Sequence, residues 1–312
     1  MARKKGKERT GPALRGTLTA MITPFRKGEV DYERLGEQVE RQIAAGVDAL
    51  VPAGSTGEAS TLSFEEHERV VEFVCERADR RVPVIPGVGT NSTKESVGLA
   101  KAAKKAGADG GLVVVPYYNR PHGAGLVDHF REIWDETGLP ICLYNVPSRT
   151  GTALTPDAYD MLAGVEGIFS VKEASGDLNL ASHLIANHDL TVLAGDDALA
   201  IPMMAIGASG VISVASNLIP AEMKMLTDAA LTDDWAQARN LHKRLFPLLR
   251  ALFLETNPIP LKCAMRMTGG DSGELRLPLA HATSRTEEAL GGQLQALGLV
   301  GDDPEEYIDP RD

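Results

Sequence analysis

With 312 residues, 43% of them hydrophobic and 24% charged, the chain has the composition of a globular enzyme with a sizeable core. Its formal net charge of −11 argues against a phosphate-backbone partner, and so against nucleic-acid binding. Cys75, Cys142 and Cys263 share no Cys-x-x-Cys spacing and the histidines form no His-Glu-x-x-His arrangement, so neither a disulfide framework nor a metal site is expected.

The chain opens on a basic leader, residues 1–13, with Arg3, Lys4, Lys5, Lys7 and Arg9. It reads as a solvated tail rather than a nucleic-acid or membrane arm. It lacks the apolar stretch of a signal peptide, and no later stretch stays apolar over a membrane-spanning length, which makes a cytoplasmic protein the expectation.

Eight short β-like runs follow in order: GTLTAMIT, ALVPAG, PVIPGVG, GLVVVPY, ICLYNV, IFSVKEAS, TVLAGDD and GVISVAS. Helical patterns separate them. The first begins at Asp31, a capping residue, and sets Leu35, Val39 and Ile43 on one face before Gly46 stops it. Ser63-x-x-Glu66 and Ser92-x-x-Glu95 have the form of capping boxes, and Thr155-Pro156 supplies a cap followed by proline at the first helical position. Strand–helix alternation with nearly continuous apolar strands predicts an α/β fold, a TIM (β/α)8 barrel, over residues 14–220. Helical runs alone continue over 221–300 as a small C-terminal helical extension, and 301–312 read as an acidic tail.

In such a barrel the reactive groups gather at the C-terminal strand ends. The second run ends in AGSTGEAS, where Ser55 and Thr56 between Gly54 and Gly57 permit a sharp turn that aims N–H groups and two hydroxyls at an anion. The plainer alternative is an ordinary turn of small residues. GVGTNS after the third run approaches a dinucleotide fingerprint, but Ser92 stands where its third glycine belongs, so a dinucleotide-binding oxidoreductase is the weaker reading from a different class.

The fourth and fifth runs end in PYYNRP and LYNVPSRTG. Any one of Tyr117, Tyr118 and Tyr144 would pass as an amphipathic wall residue, but three at adjacent strand ends suggest a proton relay of phenols. Arg149 is either a surface charge or a planar fork for a carboxylate substrate. The sixth run puts Lys172 directly after the apolar Ile168, Phe169 and Val171. A strand-end lysine can snorkel outward or pair with a carboxylate; an amine desolvated by apolar neighbours is instead kept neutral and nucleophilic.

Taken in order, TPF, GSTGEAS, PYYNRP, YNVPSRTG, VKEASGD, GDD, GVISV, NPIPLK and LRLPL make the chain resemble the dihydrodipicolinate synthase family over about residues 14–300. That family lies in the N-acetylneuraminate lyase superfamily of pyruvate-dependent class I aldolases. The resemblance implies a Schiff base between Lys172 and pyruvate, with Tyr144 as the acid/base group and Ser55 and Tyr118 completing the relay. Tyr118 would come from a second copy across a tight dimer interface, in a homo-oligomer expected to be a tetramer built as a dimer of dimers. It further implies that Thr56 holds the pyruvate carboxylate, that Arg149 receives the carboxylate of L-aspartate 4-semialdehyde, and that Gly195 and Ile212 line the site. No metal or nucleotide cofactor is implied. Relatives that act on sialic acid or 2-keto-3-deoxy sugar acids are the alternative. Lysine-sensitive members carry an effector site corresponding to Ser60, His67, Asn91, Glu95 and Tyr117. Three positions depart from the family pattern: Ser55 replaces the usual threonine, and Ala59 and Phe64 differ at the effector site.

Overall fold

The computed structural model describes residues 11–301, which leaves residues 1–10 of the leader and all but the first residue of the acidic tail outside the described residues. The first strand, β1 (Gly16–Ala20), leads through a two-residue-per-strand hairpin, β2 (Phe25–Arg26) and β3 (Glu29–Val30), into α1 (Tyr32–Ala44). Next come β4 (Ala49–Val51), α2 (Phe64–Ala78), α3 (Thr93–Lys105), β5 (Gly111–Val114), α4 (Gly123–Thr137) and β6 (Ile141–Asn145). The short α5 (Pro147–Thr150) and α6 (Pro156–Leu162) precede β7 (Ile168–Glu173), α7 (Leu178–Asn187), β8 (Thr191–Ala194), α8 (Ala200–Ala205) and β9 (Gly210–Ser213). Four helices end the chain: α9 (Pro220–Leu231), α10 (Trp235–Ala251), α11 (Ile259–Met267) and α12 (Ser284–Ala296).

Seven strands pair in the order β4-β1-β9-β8-β7-β6-β5, every pair parallel. The remaining opening, between β4 and β5, is filled by the third expected run, which is less regular than the sequence pattern suggests. It touches its neighbours through single bridges, Leu50 to Val84 and Gly87 to Leu112. Pro83 and Pro86 have no N–H to donate, so they serve as acceptors only: Leu50 N donates to the Pro83 carbonyl at 2.9 Å and Leu112 N to the Pro86 carbonyl at 2.8 Å. The barrel is thus a (β/α)8 type with seven regular strands and one proline-interrupted stave. Gly87 is required there, because a Cβ would stand 2.4 Å from the Ala53 carbonyl oxygen.

The alternation along the strands divides the core in two. Leu18, Ala20, Val51, Ile85, Leu112, Cys142, Tyr144, Phe169, Leu193 and Ile212 fill the barrel, while a larger cluster lies between strands and helices. Polar residues also occupy the outer face where a helix can satisfy them: Thr17 Oγ1 donates to the Met223 carbonyl of α9, and Thr19 Oγ1 to Gln42 Oε1 of α1, at 2.9 and 2.7 Å.

The predicted helix starts are present with one difference. Asp31 caps α1, Thr155 caps α6, and Ser63 and Glu66 form a full capping box on α2. At α3 only half the box forms. Ser92 Oγ accepts from Glu95 N, but Thr90 Oγ1 accepts the Ser92 N–H and donates to Glu95 Oε2, which displaces the return bond. Among the described residues no helix is long and apolar enough to cross a membrane.

Candidate active site

Strand β7 carries a register shift opposite Ile141 and Cys142, where Ile168 and then Ser170 are the successive partners. Beyond it Tyr144 pairs with Lys172 and Asn145 with Glu173. Consecutive residues leave opposite faces of a strand, so the two charges that end this run are separated. Glu173 turns to the helix layer, where its carboxylate accepts from Tyr159 OH at 2.6 Å, Ser175 N at 2.7 Å and Asn145 Nδ2 at 3.0 Å. Burial beside that carboxylate raises the Tyr159 phenol well above its ordinary range, which keeps it a donor. Lys172 turns to the barrel interior, only 5% exposed, with Nζ 4.4 Å from the centroid of the Tyr144 ring.

Tyr144 lines a cavity of about 380 Å³ at the C-terminal strand ends, and Ser55 and Arg149 line it too. The two hydroxyls of the glycine-flanked turn have different surroundings. Ser55 is exposed to the cavity, whereas Thr56 is buried and its Oγ1 accepts from Asn257 Nδ2 at 2.9 Å. Arg149, on α5, donates from Nη2 to the Asn257 carbonyl oxygen at 2.8 Å. Gly195 follows β8, donates its N–H to the Glu173 carbonyl at 2.8 Å, and leaves no room for a Cβ, which would lie 2.5 Å from that of Ala174. Ile212 is fully buried in the barrel interior. Tyr118 stands apart from all of these, 90% exposed on a left-handed backbone with φ 71°.

Of the expected effector residues, Ser60, His67 and Tyr117 line the same cavity. His67 Nε2 lies 2.7 Å from the Gly87 carbonyl, which can only accept, so that nitrogen carries the proton; burial holds the imidazole below its usual range. Asn91 and Glu95 lie away from that lining. The Asn91 carbonyl accepts from Asn119 Nδ2 at 2.7 Å.

Residues outside the predicted set also shape the mouth. Glu58 Oε1 is 2.6 Å from Lys262 Nζ, both side chains essentially without exposure, and Lys262 also donates to the carbonyls of Thr23 and Glu274 at 2.8 Å. Burial pushes Lys262 below the ordinary lysine range against the pull of Glu58. Asn257 and Lys262 belong to NPIPLK, a motif visible in the sequence, but no spacing rule signals that it folds back onto GSTGEAS.

An amine shielded inside a parallel barrel, facing a phenol and adjoining a cavity with a guanidinium, defines an enzyme barrel equipped to capture carbonyl compounds through nitrogen. The chain belongs to the Dihydrodipicolinate synthetase family, whose profile matches residues 13–297. It is 46% identical over 289 residues to the 4-hydroxy-tetrahydrodipicolinate synthase of Geotalea uraniireducens, covering 92% of this chain and 100% of that one. The crystal structure of dihydrodipicolinate synthase from Aquifex aeolicus superposes with a TM-score of 0.90 at 45% identity, over 93% of this chain and 100% of the other. That of the enzyme from Cyanidioschyzon merolae with lysine bound gives 0.87 at 37% identity, over 91% and 98%.

Proposed function

We propose that this chain condenses pyruvate with L-aspartate 4-semialdehyde through an imine on Lys172, a reading supported by its 46% identity to a 4-hydroxy-tetrahydrodipicolinate synthase. The amine adds to the ketone of pyruvate and water leaves; the cationic imine nitrogen then draws electrons as C3 loses a proton, and the enamine attacks the aldehyde carbon. Tyr144 serves as the acid/base group, relayed through Ser55 and Tyr118. Thr56 takes the pyruvate carboxylate and Arg149 the carboxylate of the aldehyde. Gly195 and Ile212 act as walls, the first by permitting close approach of the β8 turn to the strand that carries Lys172. The iminium is its own electron sink, so this route calls for no metal or nucleotide cofactor.

The observation that carries this reading is the buried Lys172 Nζ, 4.4 Å from the centroid of Tyr144, whose ring lines the cavity, in a chain that matches the family. Incubation with pyruvate and borohydride is the test: reduction of the imine adds the pyruvate skeleton to one lysine. Peptide mapping that finds Lys172 unmodified after full inactivation overturns the mechanism.

Assembly extends the same reading. Tyr118 is 90% exposed in one copy, as a side chain given to a neighbour's relay would be, and this supports a tight dimer, paired again into a homotetramer. Three free cysteines support a reducing, cytoplasmic setting. The relative with lysine bound supports L-lysine as an effector, at Ser60, His67, Asn91, Glu95 and Tyr117.

A further inference from the structure

On the outer helical layer, Asp160 of α6 meets His183 of α7 and His188, the residue that ends α7. One nitrogen of each imidazole and one carboxylate oxygen lie within 4.8 Å of one another. His183 Nε2 is 3.4 Å and His188 Nε2 is 2.9 Å from the same oxygen, Asp160 Oδ1. The two rings stand edge to face with centroids 5.7 Å apart.

From these contacts we propose that Asp160, His183 and His188 form a binding site for a divalent transition-metal ion of the zinc class, separate from the lysine chemistry. Two imidazoles and one carboxylate are the donor set that such ions prefer over magnesium or calcium. Donor atoms about 2.0–2.1 Å from a tetrahedral zinc stand about 3.3 Å apart, and the two nitrogen–oxygen separations here, 3.4 and 2.9 Å, lie on either side of that value. A histidine–aspartate hydrogen bond accounts for His183 but not for His188. His188 Nε2 is buried and makes no hydrogen bond although Oδ1 is 2.9 Å away, so the nitrogen is close to the oxygen without the alignment of a donor.

The Asn187 side-chain amide braces this end of α7: Nδ2 donates to the His183 carbonyl at 2.9 Å and lies 3.2 Å from His183 Nδ1. The ion ties α6 to the C-terminal end of α7, with water filling the remaining positions, and its effect is on the stability of that helix pair.

The test is calorimetric titration of zinc into the metal-stripped full-length protein, with cobalt absorption as a second readout. The expected result is one saturable ion per chain, a zinc-dependent rise in melting temperature, and a cobalt spectrum without thiolate charge transfer. Asp160→Asn and His188→Ala should each weaken binding by more than about 100-fold. Circular dichroism establishes that each variant is folded. No saturable binding by the wild type, unchanged affinity in folded His188→Ala, or a thiolate band in the cobalt spectrum would each overturn the site.

Discussion

Arg149 and Asn257 stand 108 positions apart, yet the Nη2 of the first donates to the backbone carbonyl of the second at 2.8 Å. The same Asn257 holds Thr56 through its side-chain amide. One residue of the loop before α11 therefore fixes the orientation of both a guanidinium and a hydroxyl at the mouth. The guanidinium keeps further N–H donors for a carboxylate.

Replacing Arg149 with alanine is expected to impair use of aspartate semialdehyde far more than formation of the pyruvate imine. Loss of a charge-assisted pair costs on the order of 2–3 kcal/mol, which is roughly 30- to 150-fold in kcat/KM for the aldehyde. Steady-state kinetics together with borohydride trapping separate the half-reactions; equal losses in both would count against the assignment.

Tyr118 should work in trans. A Tyr118→Phe chain and a Lys172→Ala chain, each nearly inactive alone, should recover activity when mixed under conditions of subunit exchange, because one site in the mixed dimer then holds both native groups. Verified heterodimers without rescue would make each site self-contained.

L-lysine at millimolar concentration is expected to lower turnover without competing with pyruvate. Tyr117 lines the cavity with His67 and adjoins Tyr118 in sequence, a short physical route from effector to relay. Unchanged rates together with no calorimetric binding would remove the regulatory site and leave the condensation reaction untouched.

Acid should destabilise the fold through His129. Its Nε2 is buried without a partner while Nδ1 meets Thr93 Oγ1 at 3.0 Å, and burial pushes the imidazole down to about 4. The unfolded chain, with an ordinary histidine near 6.5, binds the proton first. The stabilisation is therefore complete above about pH 6.5 and is lost as pH falls toward about 4, an effect on the order of 3 kcal/mol. Urea unfolding at pH 7 and pH 4.5 measures it: a His129→Gln protein should show a smaller drop between the two, and an equal drop would exclude this residue as the source.

Much of this protein follows from local pattern. Asp31, Ser63 and Thr155 begin helices as their side chains dictate, because capping is decided within a few residues of chain. Lys172 stands out in IFSVKEAS because a charge closing an apolar run is anomalous at the level of sequence alone, and the alternation of strands and helices is enough to anticipate a parallel barrel. The third stave is where local reading overreached: PVIPGVG has the apolar residues of a strand, but its prolines withhold the N–H groups that regular pairing needs.

Tertiary structure alone decided which groups meet. The register of β7 against β6 sends Lys172 inward to Tyr144 and Glu173 outward to Tyr159, and a shift of one residue would exchange them. Asn257 reaches Thr56 across 201 positions, Lys262 finds Glu58, and Asp160 meets two histidines on the next helix. None of these contacts has a spacing signature. They arise because barrel closure and helix packing bring distant segments together, and burial then requires each polar atom there to find a partner.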